Sequence, residues 1–161
     1  MKTYSAPWGK ALITGSVLFV AIGFAGGIGM PYLMKFVTPR ALAVFTTWLL
    51  PAMVIGAVPF VIRGYQITED AILIRRLFWT TRLSRIGLKS AEVMPGALKG
   101  SLRLFGNGGA FSFTGWYWNK TLGNYRAFVT DQERPVVLRY SLKTIILSPG
   151  EPEEFVKNLS I

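Results

Sequence analysis

Neither histidine nor cysteine occurs in the 161 residues of this chain. Imidazole proton transfer, thiol nucleophiles, disulfides and the commonest metal-ligand sets are therefore excluded from the start. Carboxylates remain, and two pairs stand out by adjacency: Glu69-Asp70 in a turn sequence and Glu153-Glu154 where a helix would begin. Turns and helix starts favour acids for structural reasons, so neither pair needs a catalytic explanation. Serines and lysines are present without a nucleophile elbow or another recognised catalytic arrangement. Gly106, Gly108 and Gly109 suggest a phosphate cradle, but Lys120-Thr121 does not stand at the spacing a nucleotide loop requires. The expectation is a chain that binds rather than catalyses, with no cofactor and no metal.

The stretch "GNGGAFSFTGWYWNK", Gly106 to Lys120, offers the richest binding chemistry. Phe111 and Phe113 are two apart, the spacing of strand residues that face one way, and packing explains them. Trp116, Tyr117 and Trp118 are consecutive and cannot all enter one core. Residues 115–120 are accordingly expected to form a loop facing a membrane or a partner, with plain hairpin packing as the alternative. In the first case the rings sit at headgroup level while Lys120 and Arg126 meet anionic phosphates. Arg75, Arg76, Arg82 and Arg85 form a second candidate, a basic face toward an anionic leaflet, against the simpler reading of a solvated surface.

The elements that would position these residues include a membrane anchor. Hydrophobic residues make up 51% of the chain and charged ones only 16%, a poor balance for covering a water-soluble surface. No acid precedes Glu69, and residues 11–30 and 41–62 are two uncharged runs, the second bracketed by Arg40 and Arg63. About 20 residues of helix match a hydrocarbon core of roughly 30 Å, so the pair is expected to be a transmembrane helical hairpin. The first run is too long for the apolar part of a signal peptide, and the second comes almost at once after it. Lys2, Lys10, Arg63, Arg75 and Arg76 outweigh Lys35 and Arg40 in the linker, which places both termini in the cytoplasm of a multi-pass inner-membrane protein. Gly23 and Gly27, with Ala25 and Gly29 repeating the spacing, would allow close backbone approach, either to the chain's own second helix or across a homodimer seam. No ionisable residue lies inside either run, so nothing points to an ion path.

After Arg63 the texture changes to short alternating stretches at 65–68, 71–78, 81–84, 90–94, 101–105, 125–130, 136–141 and 143–148, separated by turns. Then "EPEEFVKNL" reads as an amphipathic helix with Phe155 and Leu159 on one face. Taken together, "GYQITEDAILIRR", "RLFGNGGAFSFTGWYWNKTLGNYRAFVTD" and "VVLRYSLKTIILSPGEPEEFVKNL" resemble the bacterial pleckstrin-homology-like (PH-like) domain family in its membrane-anchored form. The resemblance covers residues 64–161 and implies a seven-stranded antiparallel β-barrel or sandwich capped by the C-terminal helix. Residues 81–84 are then the stretch expected to belong to a bent neighbour or a loop. The fold class expected is membrane α plus β, with residues 1–63 as anchor. The resemblance does not carry over a phosphoinositide site, because no defined phosphate-binding motif maps onto the chain. The expected function is that of a non-catalytic interaction module for scaffolding or self-assembly through a protein partner or homo-oligomer. The alternatives are recognition of anionic lipid headgroups in the lipid bilayer and, third, an accessory role in a membrane enzyme. Nucleic acid is a poor partner, since the 13 basic and eight acidic residues of 64–161 leave only a modest excess and the aromatics do not interleave with a basic strip.

Overall fold

The computed structural model describes residues 1–34 and 40–159. The expected linker cation Lys35 lies outside the described residues. Strand β1 (Lys2–Ser5) is followed by helices α1 (Lys10–Met34) and α2 (Arg40–Ala57), then a 3-10 turn at Val58–Phe60. Nine further strands come next: β2 (Ile62–Ile67), β3 (Ala71–Arg76), β4 (Thr80–Ser84), β5 (Leu88–Val93), β6 (Leu102–Gly108), β7 (Phe113–Asn119), β8 (Gly123–Val129), β9 (Val136–Tyr140) and β10 (Thr144–Leu147). Helix α3 (Pro152–Leu159) ends the described chain.

The strands form two sheets, ordered β1-β2-β3-β4 and β5-β9-β10-β8-β7-β6. Their facing sides are the alternate apolar positions expected of half-buried strands. Tyr65, Ile72, Ile74 and Leu83 of the first sheet meet Phe128, Val136, Leu138, Ile145 and Leu147 of the second. Phe155 and Leu159 of α3 close the same core, as their four-residue spacing predicts. Glu153 and Glu154 occupy the first turn of α3, where acids complement the helix dipole.

Three departures from the expected architecture have physical causes. Among the described residues there are ten strands rather than seven, and β10 runs parallel to β8, so the domain is a two-sheet sandwich that is not wholly antiparallel. Residues 81–84, expected in a loop or a bent neighbour, belong to a full strand paired along β3. Residues 2–5, assigned to the anchor, are a strand of the first sheet, with Tyr4 opposite Tyr65 and Ser5 opposite Gly64. A Cβ on Gly64 would lie 2.6 Å from the Tyr4 carbonyl oxygen, so glycine is what permits this pairing. The buried Tyr4 ring packs edge-on against Phe155 at 5.1 Å, tying β1 to α3.

The helices pack on each other. Among the described residues one helix, over Lys10–Met30, is long and apolar enough to cross a membrane; in α2 the apolar segment Thr47–Phe60 is shorter. Two hairpin spans are therefore not both established by length. Pro51 lies inside α2 and contributes to the contact between the helices.

Candidate functional site

The glycine-rich tip between β6 and β7 docks on α1. Ser16, buried in the second turn of that helix, donates its hydroxyl proton to the Gly109 carbonyl (3.2 Å) and accepts the Phe111 N–H (3.0 Å). Asn107 Oδ1 accepts the N–H groups of Ala110 (2.9 Å) and Gly109 (3.3 Å), and its amide donates to the Ala110 carbonyl. The Phe111 ring lies between Trp8 (6.3 Å) and Phe19 (6.2 Å). Phe111 itself holds φ 66°, a left-handed conformation that ordinary residues rarely adopt. Further up the hairpin, Gly106 faces Gly115, and a Cβ on either would lie within 2.3 Å of a carbonyl oxygen on the other strand. The glycines therefore serve the close approach of two strands and the tip of a hairpin.

Residues 115–120 are not a loop: Gly115–Asn119 is the second half of β7, paired on both sides with β6 and β8. Strand alternation resolves the three consecutive rings. Tyr117 turns inward, stacks on Tyr125 at 5.8 Å and donates to the Asn107 carbonyl at 2.7 Å, while Trp116 and Trp118 face outward and are partly exposed. Burial pushes the Tyr117 phenol up to about 12. Arg126 sits opposite Trp116 on β8, with its guanidinium 5.9 Å from that ring and 4.8 Å from Phe128. Lys120 lies beyond the strand, exposed.

The remaining arginines of the expected basic face divide into different roles. Arg82 pairs with Asp70. Arg85 ties the β2–β3 turn to the end of α3, donating to the carbonyls of Thr68 (3.0 Å), Glu69 (3.1 Å) and Leu159. Arg75 is exposed, whereas Arg76 is buried, with Nη1 donating to the Phe60 carbonyl (3.3 Å) and its guanidinium near the rings of Phe60, Trp79 and Phe128. Burial, and secondarily the charge of Arg126, pulls the Arg76 guanidinium below its ordinary value. Arg63, Arg75 and Arg76 line one cavity of about 350 Å³ together with Thr80 and the exposed aromatic turn that joins β3 to β4.

In the helix pair, Gly23 and Gly27 do face α2. A Cβ on Gly23 would lie 2.4 Å from Val54 Cγ2, and one on Gly27 would lie 2.8 Å from Pro51 Cγ. Gly26, which the four-residue pattern does not select, belongs to the same seam against Leu50. Ala25 and Gly29 stand away from it: Ala25 is exposed and a Cβ on Gly29 would meet nothing within 4 Å.

Two features escape sequence reasoning. Strand β6 is an edge of the six-stranded sheet, and it leaves Leu102, Leu104 and Phe105 at 61%, 59% and 78% exposure. A groove of about 700 Å³ continues from Phe105 to Phe19 on α1, to Met53 on α2 and to Phe60 in the 3-10 turn. The "LFW" triplet at 77–79 is the available signal for the other surface, since three apolar residues in a hairpin turn cannot all be buried. Without the position of that turn, the alternation simply runs on through residue 78 as strand.

Residues 63–160 match a protein-family model described as Bacterial PH domain, well over half of the chain. No curated protein and no solved structure matches the chain.

Proposed function

The chain belongs to the bacterial PH domain family, and from that premise we propose that it is a membrane-anchored, non-catalytic interaction module that receives a protein partner along the β6 edge. The carrying observation is that edge. A seven-residue outer strand, bent by a register shift between Arg103 and Phe105, has no neighbouring strand on its outer side among the described residues and carries three exposed apolar side chains, a surface open to strand addition. Addition of an extended segment would satisfy the backbone and cover Leu102, Leu104 and Phe105. The formal charge of +10, with Arg103 on the edge itself, favours an acidic segment.

The pairing of β1 with β2 supports the hairpin reading of the anchor. Ser5 lies opposite Gly64, so the chain that leaves the domain into α1 returns to the same place after the 3-10 turn. The number of crossings in between must be even. The 18 residues of α2 and the three of the 3-10 turn together rise roughly 33 Å, comparable to a hydrocarbon core. With two crossings, both termini share the domain's side, and the cation excess on that side makes it cytoplasmic.

The test is purification of the full chain from its native membrane in mild detergent, with intact complexes weighed. A stoichiometric protein or a defined oligomer is expected, lost when Leu102 and Leu104 are replaced by Lys while unfolding is unchanged. A monomer with no retained protein, or a complex indifferent to both lysines, overturns the reading.

A further inference from the structure

Two cavities flank the β6 edge, one on each face of its sheet. Strand pairing fixes which side chains share a face. Leu102 stands opposite Trp118 and Phe105 opposite Trp116, so these four lie together on the sheet face that carries the core residue Phe128. All four are exposed, and Phe105 continues into the groove of about 700 Å³ beside Phe19 and Met53. That face is apolar. Arg103 stands opposite Tyr117, which in turn pairs with Tyr125, so its guanidinium belongs to the reverse face. There a cavity of about 360 Å³ is lined by Arg103, the two tyrosines, Ser101 and Gln132, large enough to take a single side chain.

The tyrosine-lined cavity has a cation without a counter-charge. Among the described residues no acid lines it, and the four ion pairs involve Lys2, Arg82, Arg134 and Arg139, so no carboxylate meets Arg103. Arg103 Nη1 donates to the neutral Gly106 carbonyl of its own strand at 3.4 Å. Gly108 keeps room for the guanidinium, since a Cβ there would collide with it. Both tyrosine hydroxyls are already committed, Tyr117 to the Asn107 carbonyl (2.7 Å) and Tyr125 to Ser101 Oγ (2.6 Å). The guanidinium is the group left to recognise an incoming side chain, and a carboxylate is the acceptor that matches its fork of donors.

We propose that the partner segment added along β6 alternates apolar and acidic residues, with one aspartate or glutamate opposite Arg103 whose carboxylate enters the tyrosine-lined cavity. Its neighbours one position to either side then fall on the other face, one against Leu102 and Trp118 and the other against Phe105 and Trp116 at the mouth of the groove. The register shift between Arg103 and Phe105 bends the edge, so a short segment is selected rather than a long strand. This inference rests on the reading of β6 as a docking edge and adds the order of residues that the edge selects.

The experiment pans a displayed library of random linear peptides against the full chain in detergent micelles, with the Leu102→Lys/Leu104→Lys protein as counter-selection. Selected peptides are expected to carry Asp or Glu at one position between apolar neighbours. Changing that acid to its amide should weaken binding to the parent about tenfold in fluorescence anisotropy, the size of one charge-assisted hydrogen bond. Arg103→Glu is the deciding variant. Arg103 is exposed and in no ion pair among the described residues, so the exchange keeps the fold, and panning on it should return Lys or Arg at the acidic position while the apolar neighbours persist. The milder Arg103→Gln should erase the preference for the acid over its amide. Peptides that need Leu102 and Leu104 but carry no acidic position, or keep it on Arg103→Glu, overturn the proposal and leave the docking edge standing. Peptides indifferent to the two lysines, or no selected peptide at all, remove the edge itself and the proposal with it.

Discussion

Replacing Ser16 by Ala tests whether the domain is held to the first helix. Its hydroxyl serves two backbone groups of the hairpin tip, Gly109 C=O at 3.2 Å and Phe111 N–H at 3.0 Å, and the residue is buried. Alanine leaves both groups without that partner under the rings of Trp8 and Phe19, where an unmade hydrogen bond costs about 1–3 kcal/mol. The left-handed Phe111 adds roughly 1–2 kcal/mol of strain that persists only while its surroundings impose it. Local opening of the tip should therefore become easier by about 2 kcal/mol, which is about thirtyfold in the opening equilibrium. Amide hydrogen exchange of the full chain in micelles reads this directly. Peptides covering residues 106–112 should exchange about ten- to hundredfold faster in Ser16→Ala, while those from β8 and β10 keep their rates. Ser16→Thr, which keeps a hydroxyl, should behave closer to the parent. Unchanged exchange at the tip would refute the claim that α1 fixes it.

Gly27→Ala places a methyl 2.8 Å from Pro51 Cγ and 3.0 Å from the Thr47 carbonyl, and should destabilise the helix pair by about 1–3 kcal/mol in thermal unfolding followed by circular dichroism. Gly29→Ala, with open space around it, should be neutral or gain up to about 1 kcal/mol from helix propensity; equal losses at both positions would sink the seam assignment. Tyr117 is neutral and buried in the folded state, with its ordinary value of 10.0 raised to about 12. The unfolded chain thus releases this proton first, so the contribution is intact below about pH 10 and is lost between about 10 and 12. Denaturant unfolding across that window should show a shallower decline for Tyr117→Phe than for the parent. Tyr4→Ala removes a buried ring from the face of Phe155 and should cost about 3 kcal/mol or more in the denaturant midpoint; a loss under about 0.5 kcal/mol would mean β1 is not part of the fold.

The sandwich is legible in the sequence where alternation is strong. Ile72 and Ile74, or Val136 and Leu138, announce one buried face, and Phe155 with Leu159 announces the capping helix. Strand β1 is not legible, because four residues before a long apolar run carry no periodicity, and its partner strand lies some sixty positions later. Strand β7 is obscured for a different reason. Glycines and three consecutive aromatics resemble a loop until the neighbouring strands are known, and only pairing with both β6 and β8 shows that Trp116 and Trp118 share the face opposite Tyr117. The basic residues illustrate a limit of composition. Arg75 and Arg76 are adjacent and chemically identical, yet alternation exposes one and buries the other among aromatic rings. Charge counting finds a basic cluster, but it cannot tell the exposed guanidinium from the buried one.

The order of elements also means that helix pair and sandwich are not joined by a simple tether. The two helices are an insertion between paired strands β1 and β2, so the first sheet itself closes the base of the hairpin. A fragment of residues 64–161 keeps the family-matched segment except Arg63, but it loses the first two residues of β2 and Tyr4 from the Phe155 face and leaves β2 as a raw edge. Because Ser5 already stands opposite Gly64, a short Asn-Gly turn in place of residues 6–63 would convert β1 and β2 into an ordinary hairpin. That shortened protein should be more stable than the 64–161 fragment by about 3 kcal/mol, the same cost as loss of the Tyr4 ring. Denaturant unfolding of the two in mild detergent decides it. Equal midpoints would show that the sandwich is complete without its first strand, and the coupling between helix pair and sheet would then rest on side-chain contacts such as those of Ser16 and Phe19 with the hairpin tip.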